Sequence, residues 1–153
     1  MNDFDFVVKV KVDPSNKEAI SNLIAFSESV YGYERFECID RLDLDTDDHY
    51  FGLLAFALCG DKAESWYCDD QFFVDNMDID KEAGEATLYT RQNWTCNSFL
   101  DKIISQCEYD NVVIETYPNE VDESCLEEFG DYHYVVGKGP LYEETLSQKE
   151  CGL

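Results

Sequence analysis

Phe4, Phe6, Val8, Val10 and Val12 take every second position from residue 4 to 12, with Asp5, Val7, Lys9 and Lys11 between them. A period of two sends alternate side chains to opposite faces, so this segment is predicted to be a strand with one face on a core. Asp13-Pro14 then offers a helix N-cap followed by proline at the first helical position. Ala19, Ile20, Leu23, Ile24 and Ser27 follow at helical spacing, which predicts a helix over 14–29, ended by Tyr31-Gly32-Tyr33. A short strand is expected at 35–39, a polar acidic loop over 40–48, and a buried strand over 50–58; residues 63–67 fit neither period.

The second half is more regular. Residues 72–79 and 86–91 read as a hairpin whose connection contains Gly84 as the turn residue. Phe99, Leu100, Ile103, Ile104 and Cys107 form one stripe of a helix expected over 95–108, with Thr95 or Asn97 able to cap it. Residues 112–117 form a strand that Pro118 stops. One or two helical turns are expected at 121–128, and Tyr132, Tyr134 and Val136 alternate as a last strand. Residues 1–139 thus make a single acidic α+β domain, and 140–153 a polar C-terminal tail with room for a short helix. The economical architecture is an antiparallel or mixed sheet with two helices packed on one face, a ferredoxin-like sandwich.

Charge changes the functional picture more than the fold. The chain of 153 residues holds 34 Asp and Glu against 11 Lys and Arg, a net charge of −23. The excess is not confined to a tail: residues 1–50 carry 5 cations and 12 acids, 51–100 carry 3 and 9, and 101–153 carry 3 and 13. Acidic disordered chains lack the apolar share of 44% found here, so this is a hydrophobic-cored protein with an acidic surface. The scattered cations form no basic patch, which argues against direct binding to nucleic acid and to anionic membranes.

The seven cysteines, Cys38, Cys59, Cys68, Cys96, Cys107, Cys125 and Cys151, are odd in number and show no C-x-x-C spacing. They read as reduced thiols buried as small hydrophobes. The acidic start, Met1-Asn2-Asp3-Phe4-Asp5, is unlike a secretory signal, and the longest apolar run, 51–59, is too short to span a bilayer. A cytoplasmic location is expected, with no membrane partner.

The stretch from Trp66 to Gly139 resembles the YubB-type ferredoxin-like domains encoded on phages and plasmids. The resemblance rests on Trp66, on the aromatic strand end Ala86 to Trp94, on the helix Phe99 to Cys107, on the strand Val112 to Tyr117 with Glu120, and on Glu128-Phe129-Gly130. Trp66-Tyr67-Cys68-Asp69 stands where that family has Trp-Gly-Thr-Lys-Trp. The resemblance implies a ferredoxin-like fold and a mobile-element origin, and it carries no catalytic residue with it.

No catalytic constellation rises above background. Asp43-x-Asp45-x-Asp47 opens like a calcium loop, but the sixth position is Asp48 rather than Gly and the twelfth is Leu54 rather than Glu. His49 and His133 lie 84 residues apart with no Cys or His at zinc-ligand spacing. No glycine-rich phosphate loop is present. A cysteine- or metal-dependent hydrolase using His49 or His133 stays as an alternative, and a non-catalytic acidic accessory protein as another. No cofactor is expected.

The carboxylates themselves are the remaining candidates. They group as Asp40, Asp43, Asp45, Asp47 and Asp48; Asp69 and Asp70; Asp75, Asp78, Asp80, Glu82 and Glu85; Glu120, Asp122, Glu123, Glu127 and Glu128; and Glu143 with Glu144. Carboxylates on a rigid surface can stand in for phosphates. A chain of this mass has roughly 8,000 Å² of surface, so an even spread gives about one net charge per 350 Å². Duplex DNA of ~10 Å radius carries roughly one per 110 Å². Imitation of DNA therefore requires a one-sided arrangement, and Lys9 and Lys11 are expected to share a strand face away from the acidic loops. The expected function is that of a phage- or plasmid-encoded inhibitor, of anti-CRISPR or anti-restriction type. It would bind the basic nucleic-acid-binding surface of a host defence complex or DNA/RNA enzyme, with homodimerisation left open.

Overall fold

A computed structural model describes residues 4–30, 58–59, 72–92, 95 and 97–150. Among these residues the strands and helices follow one another as β1 (Phe4–Val12), α1 (Lys17–Val30), β2 (Phe72–Asp80), β3 (Glu85–Gln92), α2 (Asn97–Gln106), β4 (Val112–Pro118), α3 (Glu123–Phe129), β5 (Tyr134–Lys138) and α4 (Pro140–Glu150). The strands form one fully antiparallel sheet in the order β2-β3-β1-β4-β5. This is an α+β protein. Its first six elements run βαββαβ with β1 and β3 central, an order compatible with a ferredoxin-like sandwich.

β1 is the hub, paired with β3 on one side and β4 on the other. Its alternation therefore propagates across the sheet. Val8 lies opposite Leu88 and Thr116, Val10 opposite Ala86 and Ile114, and Val12 opposite Val112. Onto this face α1 sets Ala19 and Leu23, and α2 sets Phe99, Leu100, Ile103 and Ile104, closing a core that also holds Leu58, Cys59 and Met77. The two expected helices do pack on one face. Phe6 lies at one end of the core, where Phe129 of α3 meets Phe4 and Phe6 edge-on at 5.1 and 5.0 Å.

Several local readings change. The first helix begins at Lys17, not Pro14, because Asn16 is its cap: Ala19 N donates to Asn16 Oδ1 at 3.1 Å. Asp13 instead accepts from Ser15 N and Ser15 Oγ at 2.9 and 2.7 Å, a turn that spends the side chain one step too early. Asn97 opens α2, but its Oδ1 also receives the Tyr132 hydroxyl, so its side chain ties the helix to the chain entering β5. The tail is α4, docked against β4 and β5 on the face opposite α1 and α2. That docking needs Gly137: a Cβ there would sit 2.4 Å from Val112 O and 3.1 Å from the Tyr142 ring. The expected strands at 35–39 and 50–58 lie outside the described residues, except that Leu58 itself is helical. Its carbonyl accepts from Glu108 N at 3.0 Å.

The hairpin is confirmed, with Gly84 in its turn at a φ of +69°. It also contains a bulge between Val74 and Asn76, so Asp75 is an extra residue turned out of the ladder.

Candidate functional site

Of the acidic groups, three are described: Glu143 and Glu144 are exposed on α4, away from the other two, which surround the hairpin and α3. In the hairpin, Asp78 and Asp80 project from β2 opposite Thr87 and Glu85. Asp80 Oδ1 accepts from the amides of Glu82 and Ala83, both at 3.1 Å, which holds the turn and leaves Glu82 exposed at its tip. Asp75 is neutralised by Arg91, whose Nε reaches both carboxylate oxygens at 2.9–3.0 Å.

The second group surrounds α3. Asp122 caps the helix by accepting Cys125 N at 3.2 Å, and its other oxygen accepts Asp5 N at 3.0 Å. One carboxylate thus joins α3 to β1. Glu120, Glu123, Glu127 and Glu128 are exposed around it, and none has a cation partner among the described residues. Val121, 84% exposed, sits among them.

Asp5 links the two groups. Burial pushes its carboxyl above the ordinary value, and the charges of Asp122 and Asp75 push the same way, while Arg91 opposes them. The hairpin bulge and the α3 corner therefore share one end of the sheet, and their negative charges interact there. The groups at Asp43, Asp45, Asp47 and Asp48 and at Asp69 and Asp70 lie outside the described residues, as does His49.

The expectation for Lys9 and Lys11 is overturned. They do share a face, but it is not remote from acids: Lys9 Nζ lies 3.8 Å from Glu85 Oε1, and Glu115 lies opposite Lys9 on β4. Two antiparallel pairings place a cation row between two carboxylate-bearing strands, which no reading of β1 alone could show. Burial pulls the Lys9 ammonium down, but Tyr117, Glu85 and Glu115 outweigh it and hold it above its ordinary value. Burial pushes the Tyr117 hydroxyl up, against the pull of Lys9.

His133 belongs to this open face. Its ring meets Tyr117 edge-on at 5.4 Å, and Nε2 lies 3.5 Å from Glu115 Oε2 without a hydrogen bond. The described cysteines are elsewhere. Cys59 Sγ donates to Ile103 O at 3.2 Å. Cys107 and Cys125 are raised by burial, Cys125 to about 11 with the Asp122 charge adding to the effect. A nucleophilic cysteine needs the opposite shift. Among the described residues no group of three or more His, Cys, Asp or Glu is arranged to hold a metal ion, and no helix is long and apolar enough to cross a membrane.

No family model, curated protein or solved structure matches the chain.

The open face was missed in the sequence although a signal was there. Lys9, Lys11, Glu85, Glu115 and Tyr117 each occupy the polar phase of an alternating strand. Period two places each on the outer face of its own strand, but only the register brings them together.

Proposed function

We propose that this protein is an acidic inhibitor that occupies the basic nucleic-acid-binding surface of a host enzyme or defence complex, and that the α3 corner is its principal contact. The supporting observation is that carboxylates without cation partners are carried on a capped helix braced by aromatic packing. Averaged over 8326 Å² of accessible surface, −23 amounts to about one net charge per 360 Å², too dilute to resemble DNA. The corner differs. Helix α3 spans about 10 Å at 1.5 Å per residue, and about 5 Å of chain leads into it. Four exposed carboxylates over about 15 Å give one per about 4 Å, near the ~3.4 Å axial spacing of charges on one DNA strand.

Rigidity matters as much as density. The Asp122 bonds and the Phe4, Phe6, Phe129 and Tyr132 ring contacts hold the helix in place before binding, so little ordering entropy is lost when it docks. Val121 adds apolar contact within the acidic ring. The mixed-charge open face is a poor phosphate imitation and lies outside this surface.

The test is affinity capture from host lysate in low salt, comparing the native chain with a Glu120/Glu123/Glu127/Glu128→Gln variant. The native chain should retain a nucleic-acid-binding protein, which duplex DNA or ~0.5 M salt should release. Retention of the same protein by the variant, or retention that DNA does not compete, overturns the reading.

A further inference from the structure

The open sheet face carries a cleft that the acidic corner does not use. Its volume is about 170 Å³. Lys9 and Lys11 of β1, Glu85 of β3 and Glu115 of β4 line it from the sheet, and Thr145 and Gln148 line it from α4. Val113 supplies an apolar patch, and it is 2% exposed.

Three features define what would fit. The first is sign. Strand pairing sets Lys9 opposite Glu115 and Lys11 opposite Glu85, so the four charges alternate and sum to zero. A net anion entering here would still be repelled by a chain of −23, and a net cation would meet Lys11 uncompensated. The second is unused bonding capacity. Lys9 bonds Tyr117 but lies 3.8 Å from Glu85, and Glu115 lies 3.5 Å from His133 Nε2 with no hydrogen bond between them, so both carboxylates keep free acceptor capacity. The Lys11 ammonium has no hydrogen-bond or ion-pair partner among the described residues. The third is size. The volume equals five or six waters at about 30 Å³ each, below the ~300 Å³ at which drug-sized ligand pockets begin.

We propose that this cleft binds a small zwitterion of the α-amino acid class, of the size of glycine, alanine or serine. The carboxylate would meet the Lys11 ammonium and the Gln148 amide, and the ammonium would lie between Glu85 and Glu115. A ligand carrying both charges a few ångströms apart matches an alternating lining at no net cost in charge. The site stands apart from the α3 corner, so its fate and that of the inhibitor reading are decided separately.

The experiment is a titration of the full chain followed by backbone amide NMR, with glycine, alanine and serine as ligands and acetate and ethylamine as single-charge controls. The amino acids should shift the amides of Lys9, Glu85, Glu115 and residues 145–148 saturably. Lys11→Gln and Glu115→Gln should each weaken binding at least tenfold, and Gln148→Ala, on the exposed side of α4, severalfold. Unchanged melting midpoints would show that the variants are folded. Absence of saturable shifts with all three amino acids overturns the proposal. So does equal binding of acetate or ethylamine, or undiminished binding by the folded variants.

Discussion

Replacing Asp122 with Ala should destabilise the protein although the residue lies in an acidic cluster. Its two oxygens serve two backbone donors, Cys125 N at 3.2 Å and Asp5 N at 3.0 Å. Loss of a helix cap costs about 1 kcal/mol. Leaving the part-buried Asp5 amide without an acceptor costs about 1–3 kcal/mol, and partial access of water favours the lower half of that range. One term opposes these: Asp122 raises the Asp5 carboxyl, so removing its charge relieves some repulsion. The net expectation is a loss of about 2 kcal/mol, which in a domain of this size lowers the melting midpoint by about 4–8 °C. Asp122→Asn separates the two roles. Its remaining oxygen can still cap α3, whereas its NH₂ faces the Asp5 amide as a second donor, so an intermediate loss is expected. Thermal unfolding by circular dichroism at pH 7 measures both variants. A midpoint for Asp122→Ala within 1 °C of the native chain would refute the view that this carboxylate ties α3 to β1. Exposed Glu123→Gln and Glu127→Gln should leave the midpoint unchanged, which separates the exposed carboxylates from the structural one.

Other expectations follow from the same structure. The Asp5 carboxyl titrates above its ordinary value in the fold, so its ionised form costs stability at neutral pH. Asp5→Asn should raise the midpoint at pH 7, and the gain should fade as the pH falls through the raised folded value and be gone below the unfolded carboxyl value of about 3.9, as unfolding measured from pH 7 to 3 will show. Gly137→Ala should cost about 1–3 kcal/mol, because its Cβ would meet the Val112 carbonyl at 2.4 Å, and hydrogen exchange in α4 should rise with it. Iodoacetamide at pH 7.5 should leave Cys59, Cys107 and Cys125 unmodified in the native chain and label them in urea, as peptide mapping by mass spectrometry would record, since all three are buried.

Among the described residues, β1, β4, β5, the hairpin and both core helices were legible because burial imposes a period on each element locally. Phe4 to Val12 alternates, and Phe99, Leu100, Ile103 and Ile104 fall on one stripe, whatever they pack against. Boundaries were less legible. Asp13-Pro14 and Asn16 both offer capping chemistry, and Asp13 is used for a turn instead. The α4 helix was read as a tail because its sequence, Pro140 to Glu150, has little amphipathic pattern; it docks on a polar sheet face and needs no apolar stripe. The acidic groups were visible by composition, but not the division of labour inside them. Asp75 is neutralised by Arg91 across a bulge, and Asp122 is occupied by two amides 3 and 117 positions away.

By itself the sequence determined a hydrophobic-cored α+β chain with a strongly negative surface, because periodicity and charge are properties of neighbouring residues. Tertiary structure decided which charges meet. Pairing β1 with both β3 and β4 set Lys9 and Lys11 among Glu85 and Glu115, and the return of α3 to β1 drew Asp5, Asp75 and Asp122 to one end of the sheet. Electrostatic interaction depends on distance in space, and strand register and helix docking set that distance.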